Sequence, residues 1–227
     1  MIYAANFKCN HTRESFYNYA NELNDIIINS KIDDEIMVFP TSSSFLKNEN
    51  LHFTQGAQNF YPCENGAYTG EIGKEQLDEF GINTVLIGHS ERRTILKEDE
   101  SLLKDKFNFA MKNKFKIIYC IGESLEIYED KKTEKFLEKQ LSSIDLNYSN
   151  LIIAYEPVWA IGSGKIPSIS DIKNILDFIS TNTKAPLLYG GSVKKENIKS
   201  ILDVKNCGGV LVGGASLKIQ TFCELFI

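Results

Sequence analysis

The chain has 227 residues, of which 43% are hydrophobic and 24% charged, a composition that argues against both a disordered chain and a membrane-embedded one. α/β barrels of this length fold as one unit, so a single domain over 1–227 is expected. A net charge of -5 and an isoelectric point near 5.4 disfavour nucleic acid as a partner, because phosphate-backbone binding needs a basic stripe, and any anionic ligand must be held by local positive potential.

In chain order, an apolar strand at 2–6 precedes a helical pattern at 13–29. A strand at 36–39 is followed by the polar link PTSSSFLKNENL with no clear helix, and a strand at 53–57 by a helix at 74–80. Strands at 84–88, 116–121 and 151–155 lead into helices at 91–112, 133–143 and 170–181. The last two strands, at 187–189 and 210–212, lead into helices at 195–202 and 218–226. Ser170 and Asp171 read as N-cap and first-turn acid, ahead of Ile172, Ile175, Leu176 and Ile179 at helical spacing. Near-continuous apolar strands belong to a parallel sheet covered on both faces, and eight such units without a composition break predict a (β/α)8 barrel of eight parallel strands. The open doubly wound alternative lacks its Gly-x-Gly-x-x-Gly after the first strand.

No apolar run reaches the roughly 20 residues of a bilayer span. The N-terminal MIYAANFKCNH has no charged-then-apolar signal pattern, so a cytoplasmic protein is expected. Cys9, Cys63, Cys120, Cys207 and Cys223 are odd in number and lack C-x-x-C spacing, which predicts reduced thiols rather than disulfides or a zinc knuckle.

Barrel chemistry sits where strands end, at the C-terminal face. The first strand leaves through AANFKCN, the fourth through LIGHSERR, the sixth through AYEPVWAIGSGK, the seventh through LYGGSV and the eighth through LVGGASLK. At the first three exits, the side chains fit for acid-base or electrostatic work are Asn6, Lys8, His89 and Glu156. Taken alone, Lys8 reads as a solvated charge, His89 as a structural histidine and Trp159 as core. Glu156 differs, because Tyr155, Pro157, Val158 and Trp159 offer a carboxylate little support, and desolvation raises a glutamate's pKa and strengthens it as a base. The Gly190-Gly191 and Gly213-Gly214 pairs are either plain tight turns or backbone N–H donors converging on one cavity, which suits a phosphate. GSGKI at 162–166 is no nucleotide-binding loop: the upstream glycine is missing and Ile166 stands where Ser or Thr would bind magnesium.

Taken in order, AANFKCN, GHSERR, CIGE, AYEPVWAIGSGK, YGGSV and LVGGASLK resemble the motifs of the triosephosphate isomerase family, and they cover nearly the whole chain. The resemblance implies an isomerase that interconverts dihydroxyacetone phosphate and glyceraldehyde 3-phosphate through an enediolate, in glycolysis and gluconeogenesis, without metal or cofactor. By position, Glu156 would be the base and His89 a neutral imidazole donating to the substrate carbonyl, kept neutral by a helix that begins at Ser90; these are the family's known acid-base pair. Lys8 would offset negative charge and Asn6 add a hydrogen bond, while Gly162, Ser192, Gly213 and Gly214 would grip the phosphate. Glu91 and Glu123 are given supporting roles. Pro157, Val158, Trp159, Ala160, Ile161, Gly162, Ser163, Gly164 and Lys165 correspond to the family's lid, whose closure dries the base and protects the enediolate.

Departures from the family pattern are Ile166-Pro167 at the second hinge, Ser163 for threonine, Cys9 for methionine, Phe7 for tryptophan, and a length below the roughly 250 residues usual for the fold. The resemblance also implies a homodimer, in which the loop QNFYPCENGAYTGEIG projects its Thr69-Gly70-Glu71 tip into the neighbouring subunit towards the other active site, with Glu71 a candidate partner for Arg92 and with Phe7 and Cys9 beneath the loop. Its plain alternative is a mobile surface loop. Two other classes remain: another phosphate-binding barrel enzyme, which would lack AYEPVWAIG and GHSERR, and a non-catalytic descendant, which would be free to lose Lys8, His89 or Glu156.

Overall fold

The computed structural model describes residues 1–47, 49–161 and 166–227. Strand β1 (Ile2–Asn6) leads to α1 (Arg13–Ser30), then β2 (Glu35–Phe39), a single 3-10 turn at Ser42–Ser44, β3 (Thr54–Gln55), α2 (Lys74–Glu79) and β4 (Thr84–Ile87). Next come α3 (Ser90–Thr94), α4 (Glu100–Lys112), β5 (Lys116–Ile121), α5 (Leu125–Glu129), α6 (Thr133–Leu141) and β6 (Leu151–Tyr155). The chain ends with α7 (Ile169–Ser180), β7 (Leu187–Tyr189), α8 (Lys195–Leu202), β8 (Gly209–Val212) and α9 (Ile219–Cys223).

All paired strands are parallel, in the order β3-β2-β1-β8-β7-β6-β5-β4. A bridge between Ala57 and Val85 completes the ring, with the Ala57 N–H donating to Thr84 O and the Leu86 N–H to Ala57 O, each at 2.9 Å. The (β/α)8 barrel read from the sequence is therefore the observed architecture.

Alternation along each strand divides the core. Ile2, Ala4, Met37, Phe39, Leu86, Ile118, Cys120, Ile152, Ala154, Leu188 and Leu211 fill the barrel interior. The alternate residues, such as Tyr3, Ile117, Tyr119 and Ile153, pack outward with helix residues such as Leu23, Phe107, Leu137 and Leu176. Each fully buried aliphatic side chain contributes roughly 1.5–3 kcal/mol over exposure.

Three helix expectations are corrected. The segment 91–112 is two helices, because Lys97 turns left-handed (φ 59°) and Asp99 starts afresh by accepting the Leu102 N–H at 2.9 Å. The extra helix α5 is capped by Ser124. Helix α7 is capped by Ser168 rather than Ser170, through a reciprocal box in which Ser168 accepts from the Asp171 N–H and Asp171 from the Ser168 N–H. No described helix is long and apolar enough to cross a membrane.

Candidate active site

Inward-facing positions of the strands continue past their ends, and these positions build the site. In β6, Ile152 and Ala154 face the barrel interior, so Glu156, two residues on, points the same way; Asn6 follows Ile2 and Ala4 by the same rule. Gly190 and Gly122 succeed inward Leu188 and Cys120, and glycine is required at both. A Cβ on Gly190 would lie 2.7 Å from Glu156 Cγ, and one on Gly122 only 1.7 Å from the Glu156 carbonyl oxygen.

Glu156 is 2% exposed and His89 5%. His89 Nε2 stands 3.1 Å from Glu156 Oε1, and the Ser90 backbone N–H donates to Glu156 Oε2 at 3.1 Å. The expectation of an unsupported carboxylate is thus corrected: its chain neighbours offer little, but the exit of β4 supplies two donors. His89 itself caps α3, its Nδ1 accepting the Glu91 N–H at 3.3 Å. That contact leaves the proton on Nε2, the tautomer that can donate to Glu156. Burial is the largest influence on the ring and lowers its pKa, but Glu156, by charge and hydrogen bond, and Glu91 outweigh it against opposing Lys8, so the net direction is upward. Beneath the pair, burial and then the Glu156 charge push the Cys120 thiol well up, keeping it protonated.

Lys8 adopts a left-handed backbone, φ 52°, and its Nζ pairs with Glu91 Oε1 at 2.6 Å. Its N–H donates to Asn6 Oδ1 at 3.0 Å, and Gln58 Nε2 donates to the Lys8 and Phe39 carbonyls at 2.8 and 2.9 Å. Asn6, Lys8, His89 and Glu156 line one cavity of about 560 Å³ together with Ser192, Gly213 and Gly214. An imidazole N–H, a carboxylate, an ammonium and glycine turns around one open volume suit proton transfer next to a carbonyl on an anionic substrate.

The profile of the triosephosphate isomerase family matches residues 1–227. A protein named triosephosphate isomerase from Campylobacter jejuni subsp. doylei is 60% identical over 225 residues, which is 99% of each chain. Proteins of the same name from Sulfurimonas denitrificans and Helicobacter pylori are each 48% identical, over 99% and 97% of this chain and 94% and 96% of their own. The chain belongs to the triosephosphate isomerase family.

The remaining positions carried over from the triosephosphate isomerase family fare unevenly. Ser192 lines the cavity, but its hydroxyl donates to Ala160 O at 2.7 Å. The Gly190 N–H is spent on Tyr155 O at 2.7 Å, which corrects the expectation that both glycine pairs present their N–H groups to the cavity. Gly162, Ser163, Gly164 and Lys165 lie outside the described residues. The described start of that loop, Pro157 to Ile161, contains a 3-10 turn at Val158–Ala160.

Glu123 anchors that turn. Its Oε1 accepts from Tyr155 Oη at 3.1 Å and Trp159 Nε1 at 3.0 Å, and its carbonyl accepts the Val158 N–H at 3.0 Å. Burial pushes the Glu123 carboxyl up against the lowering effect of those donors. Tyr128 lies over Trp159 with ring centroids 4.6 Å apart, a contact that no sequence motif announced.

Thr69, Gly70 and Glu71 are exposed at a turn closed by the Glu71 N–H to Tyr68 O bond of 3.0 Å. Arg92 already pairs with Glu98 at 2.6 Å within the chain. Cys9 is exposed, and Phe7 is wholly buried within its own chain against Phe16 and Tyr19.

Proposed function

We propose that the chain, acting as one barrel domain over 1–227, is an isomerase that interconverts dihydroxyacetone phosphate and D-glyceraldehyde 3-phosphate. The observation that carries this reading is the buried 3.1 Å contact between His89 Nε2 and Glu156 Oε1 at the floor of a cavity that also holds Lys8 and the Gly213-Gly214 turn. The substrate carbonyl oxygen takes the Nε2–H in place of Glu156, and the freed carboxylate removes a proton from C1. The electron pair of that C–H bond becomes the C1–C2 double bond, and charge collects on the oxygen held by His89, Asn6 and Lys8. His89 gives its Nε2 proton to O2 and takes back the proton of the O1 hydroxyl, and Glu156 then returns the carbon-derived proton at C2 while the O1 electron pair forms the new carbonyl at C1. The Glu91 N–H at Nδ1 leaves the ring's proton on Nε2, the nitrogen that donates to the substrate oxygen.

The phosphate is assigned to Gly213, Gly214, Ser192 and, from the loop 157–165, Gly162. That loop acts as a lid, pinned at its start by Glu123. Belonging to glycolysis and gluconeogenesis in the cytoplasm follows from the reaction, and no metal or cofactor takes part in it.

A homodimer is part of the reading, with the Thr69-Gly70-Glu71 turn and Arg92 at the interface. Modification of exposed Cys9 is expected to lower the sedimenting mass, and an unchanged mass in fully labelled protein counts against that arrangement. The activity is tested by adding dihydroxyacetone phosphate to metal-chelated protein and coupling product formation to a dehydrogenase. Conversion lost in Glu156→Gln supports the reading, whereas no conversion by the folded protein leaves a different barrel enzyme or a non-catalytic descendant.

A further inference from the structure

The loop after β1 and the turn after β8 both line the cavity, and a seam that none of the roles above uses joins them. Its centre is His11. The backbone there is left-handed, φ 69°, as at Lys8 three residues earlier, so two non-glycine residues of one loop hold a strained conformation. The His11 ring lies on Phe7 with centroids 4.6 Å apart, and both its nitrogens are engaged, Nε2 with Leu217 O at 3.0 Å and Nδ1 with Ser15 Oγ at 3.1 Å. A carbonyl can only accept, so Nε2 carries a proton and donates it to Leu217 O.

Beside it, Tyr19 Oη donates to Ser216 O at 3.0 Å, and the tyrosine ring stands edge-on to Phe7 at 4.9 Å. Ser216 Oγ in turn donates to Gly213 O at 2.7 Å. Two consecutive carbonyls of the turn after β8 therefore hang from side chains of the first strand-helix unit. On the cavity side of the seam, the Lys8 side chain runs past Gly213, where an added Cβ would be 3.3 Å from Lys8 Cε.

We infer that His11, assisted by Tyr19, is a positioning residue for the phosphate end of the substrate, holding the Gly213-Gly214 turn at a fixed distance from Lys8 so that turn and ammonium meet the same anion. This rests on the phosphate assignment made under the proposed function. His11 acts through Leu217, and a role in stability alone fits poorly, because glycine would relieve the left-handed backbone that histidine must endure.

The test compares wild type, His11→Gly, His11→Asn and Tyr19→Phe by steady-state kinetics with dihydroxyacetone phosphate, by competitive inhibition with inorganic phosphate, and by thermal melting. Asparagine tolerates the left-handed backbone but cannot span to Leu217 O. The expected result is a parallel rise of about three- to tenfold in KM and in the phosphate inhibition constant, the size of one lost hydrogen bond, with a smaller change in kcat. Unchanged KM and inhibition constant, whether or not the melting temperature falls, overturn the inference. Tyr19→Phe removes a single oxygen atom and decides the question by the same readouts if the His11 variants do not fold. A wild type that neither isomerises the substrate nor binds phosphate contradicts the functional reading instead, and the inference falls with it.

Discussion

His89 and Glu156 are coupled through a single 3.1 Å contact, while the far edge of the imidazole is fixed by the Glu91 N–H at 3.3 Å. One nitrogen is thus committed to the backbone of α3, and the other is the only one free to exchange partners between Glu156 and a substrate oxygen.

This coupling sets how the ring titrates. Burial, the largest influence, lowers the His89 pKa, but Glu156 and Glu91 together raise it above the usual 6.5. In Glu156→Gln the strongest raising influence is gone while burial and Lys8 still act, so the pKa is expected to fall below 6.5. NMR titration of the three histidines checks this. An equal or higher His89 pKa in the variant would show that the carboxylate does not control the ring.

Shortening the base gives a second prediction. Glu156→Asp withdraws the carboxylate by about 1 Å from the position it holds against Gly122 and Gly190, which directly follow β5 and β7. Its kcat is expected to drop on the order of 10²-fold with KM little changed, since binding is assigned to Lys8 and the glycine turns. Wild-type turnover in steady-state assays of this variant would remove Glu156 from the role of base.

The strands were legible because burial on both faces leaves continuous apolar runs: Leu151–Tyr155 and Leu187–Tyr189 match residue for residue. The break between α3 and α4 was not, because a lysine in the left-handed region at Lys97 carries no signature in the way a glycine would. Within the site, the motifs pointed to Asn6, Lys8, His89 and Glu156, and the fold brings all four to one cavity. What holds Glu156 was hidden, because the Ser90 N–H is a backbone group whose direction depends on where α3 begins. The Gly190-Gly191 pair misled in part: Gly190 is glycine to leave room for Glu156, not to offer its N–H.

Acid stability follows from a buried cluster beside α3. Glu98, its side chain 6% exposed, accepts from Arg92 at 2.6 Å and Lys106 at 2.5 Å. Burial alone would raise its pKa, but these two partners outweigh it and carry it below 4.5. A carboxylate lowered in this way contributes stability that is present above about pH 4.5 and lost as pH falls through the folded value. Burial also lowers the Lys106 pKa, which acts at alkaline pH, outside this window. Glu98→Gln is expected to cost roughly 3–5 kcal/mol at pH 7, a deficit that narrows on acidification below pH 4.5. Urea melts across the pH range check both, and a deficit independent of pH would refute the ionic origin.

The most direct test of proton shuttling by one carboxylate is to run the isomerisation of dihydroxyacetone phosphate in deuterium oxide, trapping the product and reading its C2 position by NMR. A base that carries the proton as an exchangeable acid in the enediolate state must deliver deuterium to C2 in a fraction of turnovers, and Glu156→Gln must abolish that incorporation along with turnover. Product formed at full rate with no deuterium at C2, as a direct hydride shift would give, contradicts the account.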